Sequence, residues 1–345
     1  MSRHAARTAV GPLASLFALV AAAALVAVSA GARAATAAAA AASPACTSPV
    51  PPPASGVSTL PPIDAGTALL VIAPHPDDET LCCGGIIQRV LRAGGRASIV
   101  WITSGDASLL DLLLIERTLL GWTDQARALG LRRMAEARAA AAALGVPASA
   151  QLFLGYPDRG LLELLGAHRT TPYAARITDV AAVPYPAALF PGHPYTGESL
   201  ERDLTAVIER VRPTLILAPS PLDSHPDHRA AGLLTIAVSV RRGALTQVHY
   251  WIVHGGEGWP APRGLVTGIP LTPAPRGRAL TAAPFALEPA EEDRKLLALQ
   301  AYRSQMQVLA PFLLAFVRTT ELFSPLAAAA PAAAAAPQPV APTAR

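Results

Sequence analysis

Lysine is nearly absent: Lys295 is the sole lysine among 345 residues, and arginine supplies the other basic groups. Beside the abundance of Ala and Pro, this preference reads as base composition rather than function. Charge is scarce too, at 15% Asp, Glu, Lys and Arg, against about 25% in an ordinary soluble domain. The formal net charge is +4. Arg3, Arg7 and Arg33 stand in the N-terminal segment without acidic neighbours, and without them the balance is 4 − 3 = +1. No basic stripe is present to neutralise phosphates, which argues against a nucleic-acid partner. The three cysteines, Cys46, Cys82 and Cys83, cannot all pair within one chain. Two buried thiols and one linker thiol are expected, and no Cys spacing resembles a zinc finger. Only one apolar run is long enough to span a bilayer, which excludes a polytopic membrane protein. What the chain does have is apolar residues, 52% of it, which excludes a disordered chain.

The surplus hydrophobicity is largely alanine and collects at the two ends. Arg3 and Arg7, an apolar run from Leu13 to Ala30, and Ala32-Arg33-Ala34 form the pattern of a secretory signal peptide. Residues 1–34 are therefore expected to be a signal segment cleaved after Ala34, with an uncleaved membrane anchor as the alternative. Either way the rest of the chain is expected to be secreted or extracytoplasmic, touching a membrane only through an uncleaved anchor. Residues 35–64 read as an Ala/Pro-rich linker and 325–345 as a disordered Ala/Pro-rich tail.

Residues 65–324 read as one domain. Ala68–Ala73 (ALLVIA) has the continuous apolar character of a strand buried on both faces. Further strands are expected at Ala97–Thr103, Gln151–Leu154, Thr214–Ala218 and Thr246–Val253. Helices are expected over Thr80–Ala93, Arg132–Leu144, Ser199–Val211, after His228, and over Glu291–Val308. Alternating strands and helices predict an α/β fold: a single-domain three-layer α/β/α sandwich with a mostly parallel, Rossmann-like sheet.

Two motifs carry chemistry. Pro74-His75-Pro76-Asp77-Asp78-Glu79 follows the first strand, and His225-Pro226-Asp227-His228 follows the fourth. Ligands in open α/β sheets bind at those strand ends. His75 and Asp78 are three apart where a helix begins, as are His225 and His228, so each pair shares one helix face. Imidazole and carboxylate there suit a first-row metal ion. Asp77 lies between two such residues and is placed to act as a general base beside a metal-bound water. Three protein ligands with an open position would make the site catalytic rather than structural.

The chain resembles the PIG-L/LmbE family of zinc-dependent N-acetylglucosamine deacetylases. The two motifs, with Gly84-Gly85 after the first, carry the resemblance. Thr103-Ser104-Gly105-Asp106, Arg133 and Glu136, Leu154-Gly155-Tyr156-Pro157-Asp158 and Ala301-Tyr302-Arg303-Ser304-Gln305 support it. It spans roughly residues 66–324 and implies an LmbE-like fold.

The resemblance implies that His75, Asp78 and His228 hold the zinc and that Asp77 is the general base. It implies that a protonated His225 assists the tetrahedral intermediate and that Asp227 orients a neighbouring histidine. Asp158 would contact sugar hydroxyls. The same ligands accept Fe2+ or Co2+. The spacing of Arg133 and Glu136 suggests an ion pair, Asp106 either caps a turn or meets the ligand, and His254 opens a long loop. Asp223 stands near where some members present a tyrosine. The expected activity is removal of an acetyl group from an N-acetylated amino sugar in a glycan, glycolipid or glycosylated metabolite. A zinc amidase acting on another amide, such as a thiol conjugate, and a non-catalytic sugar-binding protein are the alternatives. Oligomeric state is not legible in the sequence.

Overall fold

A computed structural model describes residues 60–108, 122–278, 280 and 282–325. The signal segment, Cys46, most of the linker and all but the first residue of the tail lie outside the described residues. Among the described residues, no helix is long and apolar enough to cross a membrane.

Five strands form in the expected order: β1 (Ala68–Ala73), β2 (Arg96–Thr103), β3 (Gln151–Tyr156), β4 (Leu215–Pro219) and β5 (Val248–Trp251). Two more close the sheet, β6 (Ala283–Ala286) and β7 (Thr320–Pro325). The spatial order is β3-β2-β1-β4-β5-β7-β6. β1 to β5 run parallel, while β7 is antiparallel to both β5 and β6. All six residues of β1 are buried, as a central strand covered on both faces requires. The helices are α1 (Asp78–Arg92), α2 (Trp122–Ala143), α3 (Leu161–Leu165), α4 (Gly197–Val211), α5 (Pro226–Arg241), α6 (Pro289–Ala301) and α7 (Arg303–Leu313). The described residues thus form a single mixed α/β domain with a mostly parallel sheet.

The chain leaves β1 towards β2 on one side, and β4 lies on the other, paired through Leu69–Leu215 and Val71–Leu217. That makes the β1/β4 boundary the switch point, where the carboxyl ends of two adjacent strands open a crevice. Both motifs follow these two strands.

The structure departs from the sequence reading in several places: α2 begins at Trp122, ten residues before the expected Arg132, and α3 lies outside every expected helix. The single helix expected over Glu291–Val308 is broken at Tyr302, which sits at φ −79°, ψ 63° and is fully buried. β6 and β7 fall outside the expected strands, because a short antiparallel edge pair containing Pro284 and Pro325 lacks the continuous apolar signature. Cys82 and Cys83, expected as free thiols, are both buried and joined to each other in a disulfide.

Candidate active site

β1 ends at Ala73, so His75, Asp77 and Asp78 ride on the strand-to-helix turn into α1. The turn is tied to β2: the Thr103 N–H and hydroxyl both donate to Pro74 O, at 3.0 and 2.9 Å. After β4, His225 caps the N-terminus of α5, its Nδ1 accepting the Asp227 N–H at 3.2 Å. Pro226 takes the first helical position, where a missing N–H leaves no bond unmade. His228 follows on the first turn of α5, within reach of the first motif.

Three atoms converge there. Asp78 Oδ2 lies 3.3 Å from His75 Nδ1 and 3.1 Å from His228 Nε2, and the two nitrogens are 3.3 Å apart. A tetrahedral ion with ligands at about 2.0–2.1 Å spaces them by about 3.3 Å, so the triangle has the size a zinc-type ion requires. The far nitrogen of each imidazole meets a carboxylate. His75 Nε2 is 3.2 Å from both Asp158 Oδ1 and Asp227 Oδ2, and His228 Nδ1 is 3.2 Å from Asp223 Oδ2. Such partners fix the tautomer and orientation of ligating histidines.

The electrostatics agree. Burial opposes charge on His75, but Asp158, Asp227 and Asp78 prevail and hold its pKa well above the usual value. Burial likewise lowers His228, and Asp78 and Asp223 overcome it, to about 9. Carboxylates in excess draw protons onto both rings, and a divalent cation would answer the same field with the rings neutral. Burial pushes the Asp77 carboxyl up to about 8, helped by Asp78 and opposed by Arg133 and His75.

His225 differs from expectation. Burial, then the charges of His75 and His228, drive its pKa down to about 2. In this geometry its Nδ1 accepts a backbone N–H, as an unprotonated nitrogen does, so Nε2 carries the hydrogen.

The open cleft is lined by Asp77, Arg133, Asp158, Arg159, His225 and His254, with Leu309, Phe312 and Leu313 beside them. Gln305 Nε2 donates to Asp77 Oδ2, and Arg133 stands 3.6 Å from the same oxygen. Asp158 Oδ2 accepts the Ala107 N–H at 3.0 Å, which engages its second oxygen.

Residues 70–239 match the PIG-L family, described as GlcNAc-PI de-N-acetylase. The chain is 32% identical over 179 residues to a 1D-myo-inositol 2-acetamido-2-deoxy-alpha-D-glucopyranoside deacetylase of Tsukamurella paurometabola. That match covers 49% of this chain and 54% of the relative. The enzyme of the same name from Mycobacterium sp. (strain KMS) is 30% identical over 196 residues, 55% of this chain and 56% of that one. The chain therefore spans little more than half the length of these two relatives. Among solved structures, the antimicrobial reagent A40926 pseudoaglycone deacetylase has the same fold. Its TM-score is 0.50 at 21% identity, covering 75% of this chain and 97% of that one.

The chain contains a PIG-L family domain.

Around the site, several residues take places that spacing did not reveal. Asp223 is fully buried and accepts the N–H groups of His225, Val253 and His254 at 2.9, 3.0 and 2.9 Å. The only sequence signal was a carboxylate five residues before His228, on the β4–α5 connection. His254, at the start of its loop, does reach the site: its ring centroid is 4.7 Å from that of His228 and 5.1 Å from that of His225. Arg133 and Glu136 take different partners. Arg133 donates to Gly105 O at 2.8 Å and Pro76 O at 3.0 Å. Glu136 accepts the N–H and hydroxyl of Ser304 at 2.9 and 2.6 Å. Gly105 makes room: at φ +70°, a side chain there would place Cβ 2.3 Å from the guanidinium. Asp106 accepts the Tyr185 hydroxyl at 2.5 Å.

Proposed function

We propose that this chain is a metal-dependent hydrolase that removes the acetyl group from an N-acetylated, glucosamine-type sugar, with zinc as its ion. One observation carries the reading: His75, Asp78 and His228 present three ligand atoms at 3.1–3.3 Å from one another, and both imidazoles are backed by carboxylates. The names of the relatives, deacetylases of an acetamido-glucopyranoside, support the substrate class. Fe2+ and Co2+ fit the same ligands.

Bound zinc supplies Lewis acidity and brings the pKa of water to about 7. The chain's own residues do the rest. Asp77 borders the ligand triangle and takes the proton from the attacking water. It then returns that proton to the leaving nitrogen. His225, neutral, donates from Nε2 to the carbonyl oxygen as negative charge develops there. Asp227 sets the His75 ring, receiving Arg159 N–H at 2.6 Å and Leu161 N–H at 3.1 Å on its two oxygens. Asp158, on the cleft wall, meets sugar hydroxyls.

Acetate release across a panel of N-acetylated sugars, with and without a chelator, tests this. Release that the chelator abolishes supports the reading, and no release from any of them overturns it. Arg3, Arg7, the apolar run and Ala32-Arg33-Ala34 support export of the mature chain. N-terminal sequencing of the expressed protein tests that part: a start at Ala35 supports cleavage, and a start at the initiator contradicts it.

A further inference from the structure

Glu79 ends the first motif, is fully buried, and stands outside the ligand triangle and the cleft wall. Four donors meet its carboxylate. Oε2 accepts Trp101 Nε1–H at 2.8 Å and the Asp77 N–H at 3.3 Å. Oε1 accepts the Thr80 hydroxyl at 2.5 Å and the Tyr302 hydroxyl. An ionised carboxylate is the acceptor-only side chain that suits four donors at once.

Asp77 needs such restraint. Its backbone lies at φ 126°, ψ −35°, a region residues with a Cβ avoid and that persists only when the surroundings impose it. The Asp77 carbonyl is held by the Thr80 and Leu81 N–H groups at 3.0 and 2.9 Å. Its N–H is held by Glu79. Its carboxylate is met by Gln305, three residues beyond Tyr302. Tyr302 is the break between α6 and α7, so its bond to Glu79 fixes where α7 begins and hence where Gln305 stands.

We propose that Glu79 is a positioning residue for Asp77. It pins the strained Asp77 backbone directly, and through Tyr302 it sets Gln305 against the Asp77 carboxylate. The activity arm of the test rests on the proposed role of Asp77 as the base; the structural arm does not.

Tyr302→Phe and Glu79→Gln are made in the full chain, with Tyr302→Phe guarding against a Glu79 variant that fails to fold. In the metal-loaded enzyme, each variant should keep its metal and its KM while kcat falls roughly 10- to 100-fold, the scale of a small misplacement. In an Asp77→Asn background, Tyr302→Phe should cost nothing further. An unchanged kcat, or the same fold loss in both backgrounds, overturns the proposal. Amide hydrogen exchange followed by mass spectrometry needs no activity. Faster exchange confined to residues 75–80 in both variants supports the proposal. Unchanged exchange there, or loss of protection along all of α1, overturns it. A wild-type protein that releases no acetate contradicts the hydrolase reading alone, and the exchange result then decides this one.

Discussion

Asp223 Oδ2 lies 3.2 Å from Nδ1 of His228, with both side chains fully buried. The carboxylate also gathers three backbone N–H groups, so it is fixed before any ion arrives. It holds the His228 ring with Nε2 turned to Asp78 and makes the ring a stronger ligand. Asp223→Asn should therefore weaken metal affinity by roughly 10- to 100-fold while the protein stays folded. Competition with a chromogenic chelator measures this, and wild-type affinity would show that the contact does not tune the ligand.

Asp77 touches Gln305 and Arg133 but is not part of the converging triangle. Asp77→Asn should retain metal and lose roughly 10²- to 10⁴-fold in kcat, the range for removing a general base. Metal analysis alongside acetate release checks it. Wild-type turnover with full metal would remove Asp77 from the base role.

Much of this was legible in the sequence because each motif follows a strand buried on both faces. The run Ala68–Ala73 matched its strand residue for residue, and the two histidine motifs fell at neighbouring strand ends as the α/β pattern implied. What stayed hidden depends on contacts distant in sequence. Asp223 acts on His228 through a fold around β4. Tyr302 interrupts a helical pattern, and its hydroxyl meets Glu79, 223 positions away. Burial and two neighbouring imidazoles lower the pKa of His225, which spacing cannot display. β6, at the sheet edge, and β7 beside it have prolines and partly exposed positions, so no apolar run marks them.

Asp106 gives a pH signature. Burial, then the Asp158 charge, raises its carboxyl from 3.8 to about 6. Between those values the folded state keeps a proton that the unfolded chain has lost, so stability falls as pH rises from about 4 to about 6. The full loss, present above the folded value, is about 3 kcal/mol. Asp106→Asn, which keeps an acceptor for the Tyr185 hydroxyl, should flatten that part of the profile. Denaturant unfolding of both proteins at pH 4, 5, 6 and 7 checks it. Parallel profiles would contradict the assignment.

The sole lysine is buried, its Nζ donating to Glu321 Oε1 at 2.8 Å and to Leu81 O at 2.9 Å. Glu321 also accepts the Gly85 and Ile86 N–H groups at 2.7 and 3.0 Å, tying β7 to α1. An amine-reactive ester should therefore modify the native protein only at its terminal amine, and Lys295 only after unfolding. Lys295→Met, which leaves Glu321 without its counter-charge, should cost about 3–5 kcal/mol. Peptide mass mapping and denaturant unfolding check the two statements. Rapid native labelling at Lys295 would contradict the burial.

The central claim is that His75, Asp78 and His228 hold one divalent ion on which hydrolysis depends. The most direct measurement strips the protein with a chelator and follows acetate release from an N-acetylated glucosamine derivative as zinc is added back. The prediction is no activity in the stripped protein, a linear rise to a plateau at one equivalent, and neither metal uptake nor recovery in His228→Ala. Full turnover by the stripped protein, or full metal content in His228→Ala, would contradict it.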